Sequence, residues 1–262
     1  MFVLLSPSKK MNFSHELPEP IRAQSSEPQF SSLTQALVDT METKSVEDIK
    51  DLMKLSDKLA TLNHERYQSF AQNATLAAWF AFEGDTYKDI PKSVYTTQDF
   101  EWAQARVRIL SGLYGALRPL DTIRPYRLEM GTRLEHADAK NLYQVWKQPL
   151  TQAINEAIEQ AQAPYVINLA SKEYFSAVDF DALSVPVVSP SFQDEKGGAY
   201  KVVSFYAKRA RGQMADFIVR NRIDSMEDLR TFHGAGYTFV EDESDALTPV
   251  FKRSEIARMQ AQ

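Results

Sequence analysis

The chain has 262 residues and a formal net charge of −5, with 44% hydrophobic and 25% charged residues, and 15 Phe, 11 Tyr and 3 Trp. This composition excludes a disordered chain and supplies enough apolar side chains for a sizeable core. Cysteine is absent and the four histidines, His15, His64, His136 and His233, are scattered, which excludes disulfides, thiolate chemistry and cysteine zinc sites; neither a metal nor another cofactor is expected.

No apolar run approaches the ~20 residues of a membrane span, and "MFVLLSPSKK" is too short and wrongly flanked for a signal peptide. A cytoplasmic location is expected, with no membrane and no protein partner. "FVLLS", Phe2 to Ser6, reads as a short buried strand ending in a Ser-Pro turn. Leu17 to Ser32, rich in Pro and Ser, reads as a loop. Ser45 with Asp48 spells a capping box, and Ile49, Leu52 and Met53 begin a helical face that resumes at Leu59, Leu62, Arg66 and Phe70. "FEGDTY", Phe82 to Tyr87, breaks the helical pattern with a Gly-Asp turn. Thr97 is placed to cap a helix whose ridge, Phe100, Ala103, Val107 and Leu110, runs into Ser111.

A further helix is expected from Asn141 to Gln162, kinked or restarted at Pro149. "YVINLA" (Tyr165 to Ala170), "VPVVSPSF" (Val185 to Phe192) and "YKVVSFYA" (Tyr200 to Ala207) read as strands, the last two joined in a hairpin across "DEKGG". Helices and strands mix without strict βαβ alternation. The expected fold is α/β in the mixed α+β sense, one domain over 1–262 with a mixed sheet surrounded by helices, not a Rossmann unit.

The stretch "SGLYGALRPLDTIRPYRLEM", Ser111 to Met130, follows the expected ridge helix. Gly112 and Gly115 would let backbone N–H groups converge on a phosphate, and Arg118, Arg124 and Arg127 follow with planar forks suited to phosphate or carboxylate. A structural account is equally open: Gly112 as a helix C′ residue, and Arg118 or Arg127 paired with Asp121 or Glu129. Between Lys196 and Arg222, seven Lys and Arg stand against one acid, Asp216, a net +6 that leaves −11 for the rest. Within it, "YAKRARGQMADFIVRNR" is a helix with the buried stripe Ala207, Ala210, Met214, Phe217 and Ile218. Lys208, Arg209 and Arg211 are then left for phosphates, or for ion pairs of the kind Arg220 makes with Asp216. Gly212 costs this helix about 1 kcal/mol against alanine and signals close approach by backbone or ligand.

"NLASKEYF" sets Asn168, Ser171, Glu173 and Tyr174 at the C-terminal edge of a strand, where α/β folds place ligands. Ser171 equally suits a helix N-cap, and no histidine lies nearby to activate it. "LSPSKKM" sets Ser6, Ser8, Lys9 and Lys10 directly after the first strand, able to cradle an anion without the glycines of a P-loop.

In their order, "LLSPSKKM", "FEGDTY", "ILSGLYGALRPLDTIRPYRLEMGTRLE", "INLASKEYF", "FQDEKGGAYKVVSFYAKRARGQMADFI" and "VFKR" make the chain resemble the YaaA family of bacterial peroxide-stress proteins over essentially its whole length. Ser8 and Lys10 stand where that family more usually has alanine and threonine. The resemblance implies a cytoplasmic protein that limits hydrogen peroxide damage, associated with lowered free iron. It also implies a mixed α/β domain with a helix-hairpin-helix-like element beside a positively charged cleft that binds double-stranded and branched DNA. Carried onto this chain, the hairpin corresponds to Ser111 to Gly115 and the cleft to Lys208, Arg209 and Arg211.

Two functions follow as expectations. In the first, a binding module contacts DNA phosphates through Lys9, Gly112, Gly115, Arg118, Arg124, Arg127, Lys208, Arg209 and Arg211. In the second, an enzyme acts on a nucleobase or nucleotide, for instance at the N-glycosidic bond. Its catalytic candidates are Glu129, Asn168, Ser171, Glu173 and Tyr174, because paired acids with a polar amide suit oxocarbenium chemistry.

Overall fold

Four consecutive apolar residues, Phe2–Leu5 (β1), have every side chain buried, the pattern of a strand covered on both faces. The computed structural model, which describes residues 1–261, sets this strand at the centre of a five-stranded sheet. The chain then forms helices α1 (Glu19–Arg22), α2 (Ser31–Glu42), α3 (Val46–Met53) and α4 (Asp57–Gln68). A strand β2 (Leu76–Ala77) and helices α5 (Ala78–Ala81), α6 (Asp85–Lys88) and α7 (Thr97–Arg106) lead to β3 (Val107–Ser111), β4 (Gly115–Leu117) and β5 (Thr122–Ile123). Next come α8 (Leu142–Ala161), β6 (Val166–Leu169), α9 (Lys172–Phe175), β7 (Val187–Val188), β8 (Ser191–Lys196) and β9 (Ala199–Lys201). Last are α10 (Ser204–Asn221), α11 (Met226–Arg230), β10 (Thr238–Phe239), β11 (Val250–Arg253) and α12 (Glu255–Gln260).

The fold is mixed α/β. The main sheet has the order β4-β3-β1-β6-β7, all parallel except β4, with Val3 opposite Val107 and Ile167. A second sheet, β10-β11-β8-β9, is mixed, and β2 pairs with β5 as a ribbon. Because β1 and β6 run the same way, the loops that follow Leu5 and Leu169 open side by side at one edge, where open α/β sheets bind ligands.

Several expectations hold. Ser45 and Asp48 form both bonds of the capping box, α8 fills the helix expected from Asn141 to Gln162, and Gly197 and Gly198 turn the β8–β9 hairpin, but the expected strand Val185 to Phe192 divides between β7 of the main sheet and β8 of the second. Pro149 is accommodated inside α8. The loop expected from Leu17 to Ser32 contains the one-turn helix α1, and "YKVVSFYA" leaves its strand at Lys201 to enter α10 at Ser204.

The ridge helix departs from expectation. It is capped by Thr96, paired reciprocally with Asp99, and it stops at Arg106. Val107 to Ser111 is a fully buried strand: an apolar run that continues a helical ridge fits the interior of a parallel sheet equally well, and pairing with β1 decides. Ser111 to Gly115 is therefore the turn of the β3–β4 hairpin, with Ser111 opposite Gly115, and not the hairpin between two helices. Two helices joined by a tight turn occur instead at α3–α4, where Lys54 adopts φ 52° and the Leu55 N–H bonds the Lys50 carbonyl at 3.0 Å.

Two close approaches at glycine, one to a backbone carbonyl and one to a side-chain hydroxyl, set α10 against α6 and the start of α6 against the loop after β1. A Cβ on Gly212 would stand 1.7 Å from the Thr86 carbonyl oxygen, and one on Gly84 would stand 2.2 Å from Ser8 Oγ. The close approach signalled by Gly212 is thus the backbone of α6. Helix propensity alone favours Gly212→Ala by about 1 kcal/mol. The carbonyl contact outweighs it, and the variant is expected to lose about 1–3 kcal/mol on urea unfolding; a raised midpoint would contradict this packing.

Candidate functional site

The loop after β1 and the start of α9 after β6 form two walls of a cleft of about 380 Å³. Ser6, Ser8, Lys9 and Lys10 come from the first, and Ser171, Glu173 and Tyr174 from the second. The start of α6 adds Glu83, Asp85 and Thr86, and α10 adds Lys208 and Arg211. Ser6 ties the two strand ends together: its Oγ accepts the Ser171 N–H at 2.8 Å and donates to Ser171 Oγ at 3.3 Å, and its carbonyl accepts from the Tyr87 hydroxyl at 2.7 Å. Ser171 stands at the N-cap position of α9 but makes no side-chain cap bond.

A smaller hollow adjoins the cleft, sharing Lys9 and Tyr174 and adding Tyr126, Arg127 and Glu129. Glu129 bridges two cations, Arg127 at 2.9 Å and Lys9 at 2.6 Å. Glu173 accepts the Gly131 N–H at 3.2 Å and has no ion-pair partner among the described residues. Burial pushes the Tyr174 phenol well above its ordinary pKa, and the neighbouring Tyr126, Glu173 and Glu129 add to the shift. Arg66 of α4 borders Arg127, and burial holds its guanidinium below the usual value.

The charges of the cleft are unevenly satisfied. Lys10 and Asn12 hydrogen-bond Glu83 at 2.7 and 3.0 Å and hold its carboxyl down to about 2. Arg211 is half-buried, and desolvation lowers its pKa. Among the described residues it makes no side-chain hydrogen bond and has no carboxylate within 4.0 Å. Lys208 and Asp85 line the same cleft equally without partners. A desolvated guanidinium without a counter-charge is a site for an anion.

Other expected phosphate ligands lie elsewhere. Arg118 donates to the buried Asp121 at 2.9 Å and to the Glu27 carbonyl at 2.9 Å. It follows β4, which runs back along β3, so it lies toward the end of the sheet opposite the cleft. Arg124 bonds the Asn73 carbonyl, and Arg209 is held by both oxygens of Asp89 at 2.5 and 2.9 Å. Gly112 and Gly115 sit in a buried turn whose Leu113 and Tyr114 amides already donate to Ser111 Oγ at 3.2 and 3.0 Å. A Cβ on them would stand 2.3 Å from the Leu128 carbonyl and 2.5 Å from the Trp146 ring, so packing requires these glycines. Asn168 is a buried strand residue that bonds Ser189 Oγ at 3.2 Å and the Ala170 N–H at 3.1 Å. A larger groove of about 1180 Å³ runs along α8, but it contains none of these residues and its Lys147 is paired with Asp179 at 3.0 Å.

The sequence profile of the family described as peroxide stress protein YaaA matches residues 1–243. The chain belongs to this family. UPF0246 proteins of Aliivibrio fischeri (strain MJ11) and Shewanella baltica (strain OS195) are 44% and 43% identical to it, each over 97% of this chain and 99% and 100% of their own lengths. One from Dinoroseobacter shibae (strain DSM 16493 / NCIMB 14021 / DFL 12) is 45% identical over 97% of this chain and 95% of its own length. Membership in the YaaA family supports a role in peroxide stress. No helix among the described residues is long and apolar enough to cross a membrane.

In this YaaA-family chain, sequence reasoning left Asp85 inside a turn motif and Arg66 on a helical ridge. The signal for Asp85 was available: a motif acid directly after a glycine, beginning a one-turn helix. The Lys10–Glu83 pair yields a pH prediction. Because the folded pKa of Glu83 is depressed from 4.5 to about 2, its stabilising contribution is present above about 4.5 and is lost as pH falls toward 2. Its carboxyl resonance should titrate near 2 by NMR, and Lys10→Ala should move that midpoint up toward 4.5; an unmoved midpoint would rule out Lys10 as the cause.

Proposed function

We propose that the protein acts in the cytoplasmic response to hydrogen peroxide by holding DNA, duplex or branched, through sugar-phosphate contacts at the cleft, limiting oxidative damage in association with lowered free iron. The observation that carries this reading is Arg211, desolvated and without a counter-ion, with the free Lys208 one turn before it on α10. Lys9, Arg127 and Arg66 extend the cationic path from the cleft toward α4. Contacts of this kind fix a backbone and read no sequence.

A second reading, chemistry on a nucleobase or nucleotide, is favoured by Asp85 and Glu173, two carboxylates that line the cleft without ion-pair partners.

Affinity for a short duplex should fall steeply between ~50 and ~200 mM salt, and the double variant Lys208→Ala/Arg211→Ala should reduce the log–log salt slope by about 2. Wild-type binding that ignores salt would end the phosphate reading. Glu173→Gln should not weaken that affinity, since it removes a negative charge from the cleft, and under the second reading alone it should abolish release of free base.

A further inference from the structure

We infer that the cleft is built for one phosphorylated nucleoside unit, its phosphate on Arg211 and Lys208 and its sugar hydroxyls on Asp85. The inference rests on the reading of the cleft as an anion site and names the ligand that the site takes.

Free charges of both signs coexist in the cleft. Arg211 and Lys208 face the same cavity as Asp85 and Glu173, yet no cation–carboxylate pair forms among these four within 4.0 Å. Elsewhere on α10, cations do find acids: Arg209 pairs with Asp89, Arg220 with Asp216 and Arg222 with Asp99. The framework holds the cleft charges apart. Gly212 against Thr86 fixes the helix that carries the cations, and Gly84 against Ser8 fixes the residue just before Asp85.

The polarity of a ligand decides whether it can satisfy such a set. A purely anionic ligand, inorganic phosphate or a stretch of duplex backbone, meets the two cations but is repelled by Asp85 and Glu173. A ligand with an anion at one end and hydrogen-bond donors at the other satisfies both. Ser6, Ser8 and Ser171 add hydroxyls that both donate and accept. A phosphorylated pentose carrying a base has this polarity. A volume of about 380 Å³ is in the range of small-ligand pockets and admits one such unit, not a stacked duplex. On DNA, the unit that fits is a 3′-terminal nucleotide out of the stack, the one position where a sugar hydroxyl is free to reach Asp85.

The test is calorimetric titration of the full chain with adenosine 5′-monophosphate, adenosine and inorganic phosphate, beside a short DNA duplex. The nucleotide should bind at least tenfold tighter than adenosine or phosphate. Arg211→Ala, and Arg211→Lys as a milder change, should weaken nucleotide and phosphate together. Asp85→Asn should weaken the nucleotide yet strengthen phosphate, because it removes a repulsive charge without changing shape. Thermal unfolding confirms that each variant is folded. Phosphate binding as tight as nucleotide binding in wild type, or a nucleotide-to-phosphate ratio unmoved by Asp85→Asn, would overturn the inference. Duplex binding without nucleotide binding overturns it while leaving the DNA reading intact. Nucleotide binding without duplex binding upholds it and removes duplex DNA from the proposed function.

Discussion

The cleft depends on one steric constraint, the absence of a side chain at Gly212 where α10 crosses the carbonyl of Thr86. A helix can approach a peptide group this closely only at glycine, and the approach decides where the rest of its surface lies. Lys208 and Arg211 stand one turn and one residue before Gly212, so they are delivered to the open end of the sheet. Gly84 repeats the device one layer down, letting the start of α6 close on Ser8. The loop after β1, α6 and α10 are thereby stacked in contact, and each contributes charged groups to the same cavity.

This stacking explains what becomes of the basic segment. Its net +6 suggests a continuous positive face, but three of its cations are neutralised, Arg209 by Asp89 after α6, Arg222 by Asp99 in α7, and Arg220 by Asp216 within α10. The first two tie α10 to elements more than a hundred residues away in sequence. Exposed pairs add little stability, and their value here is orientation: they fix the outer and flanking faces of α10. The cations that point into the cleft are left without acids because the carboxylates opposite are held at a distance.

How much of this is legible in the sequence varies by the range of the interaction. β1, β6, the β8–β9 hairpin, α8 and α10 are legible because local signals agree: buried apolar runs, a Gly-Gly turn, an Asn cap and a period of 3.6 with an outer charged face. Val107 to Leu110 is not, because it satisfies helix and buried-strand patterns alike and only pairing with Val3 to Leu5 decides. The same ambiguity sends Gly112 and Gly115 into a buried β-turn in place of a surface hairpin. Of the expected ligands, Lys9, Arg127, Glu129, Ser171, Glu173, Tyr174, Lys208 and Arg211 gather around the cleft, since they flank strand ends or share a helix face. Arg118, Arg124 and Arg209 leave it through partners whose proximity depends on the folded chain: the Glu27 and Asn73 carbonyls and Asp89.

The pattern of charge inside and outside the cleft also constrains what one surface can do. Holding a nucleic-acid backbone needs cations spaced along a path, and acids on that path cost affinity at every contact. On the flank Arg66, Arg127 and Lys9 follow one another, with Glu129 bridging the last two, and they continue the line of Lys208 and Arg211 at the cleft. The interior alternates sign over the dimensions of a small molecule, an arrangement that rewards a ligand of matching polarity and penalises a uniform polyanion. Backbone attraction and ligand discrimination thus draw on different features: the cations, Lys208 and Arg211 included, answer to ionic strength, and the alternation of sign inside the cleft answers to the placement of donors on whatever enters it.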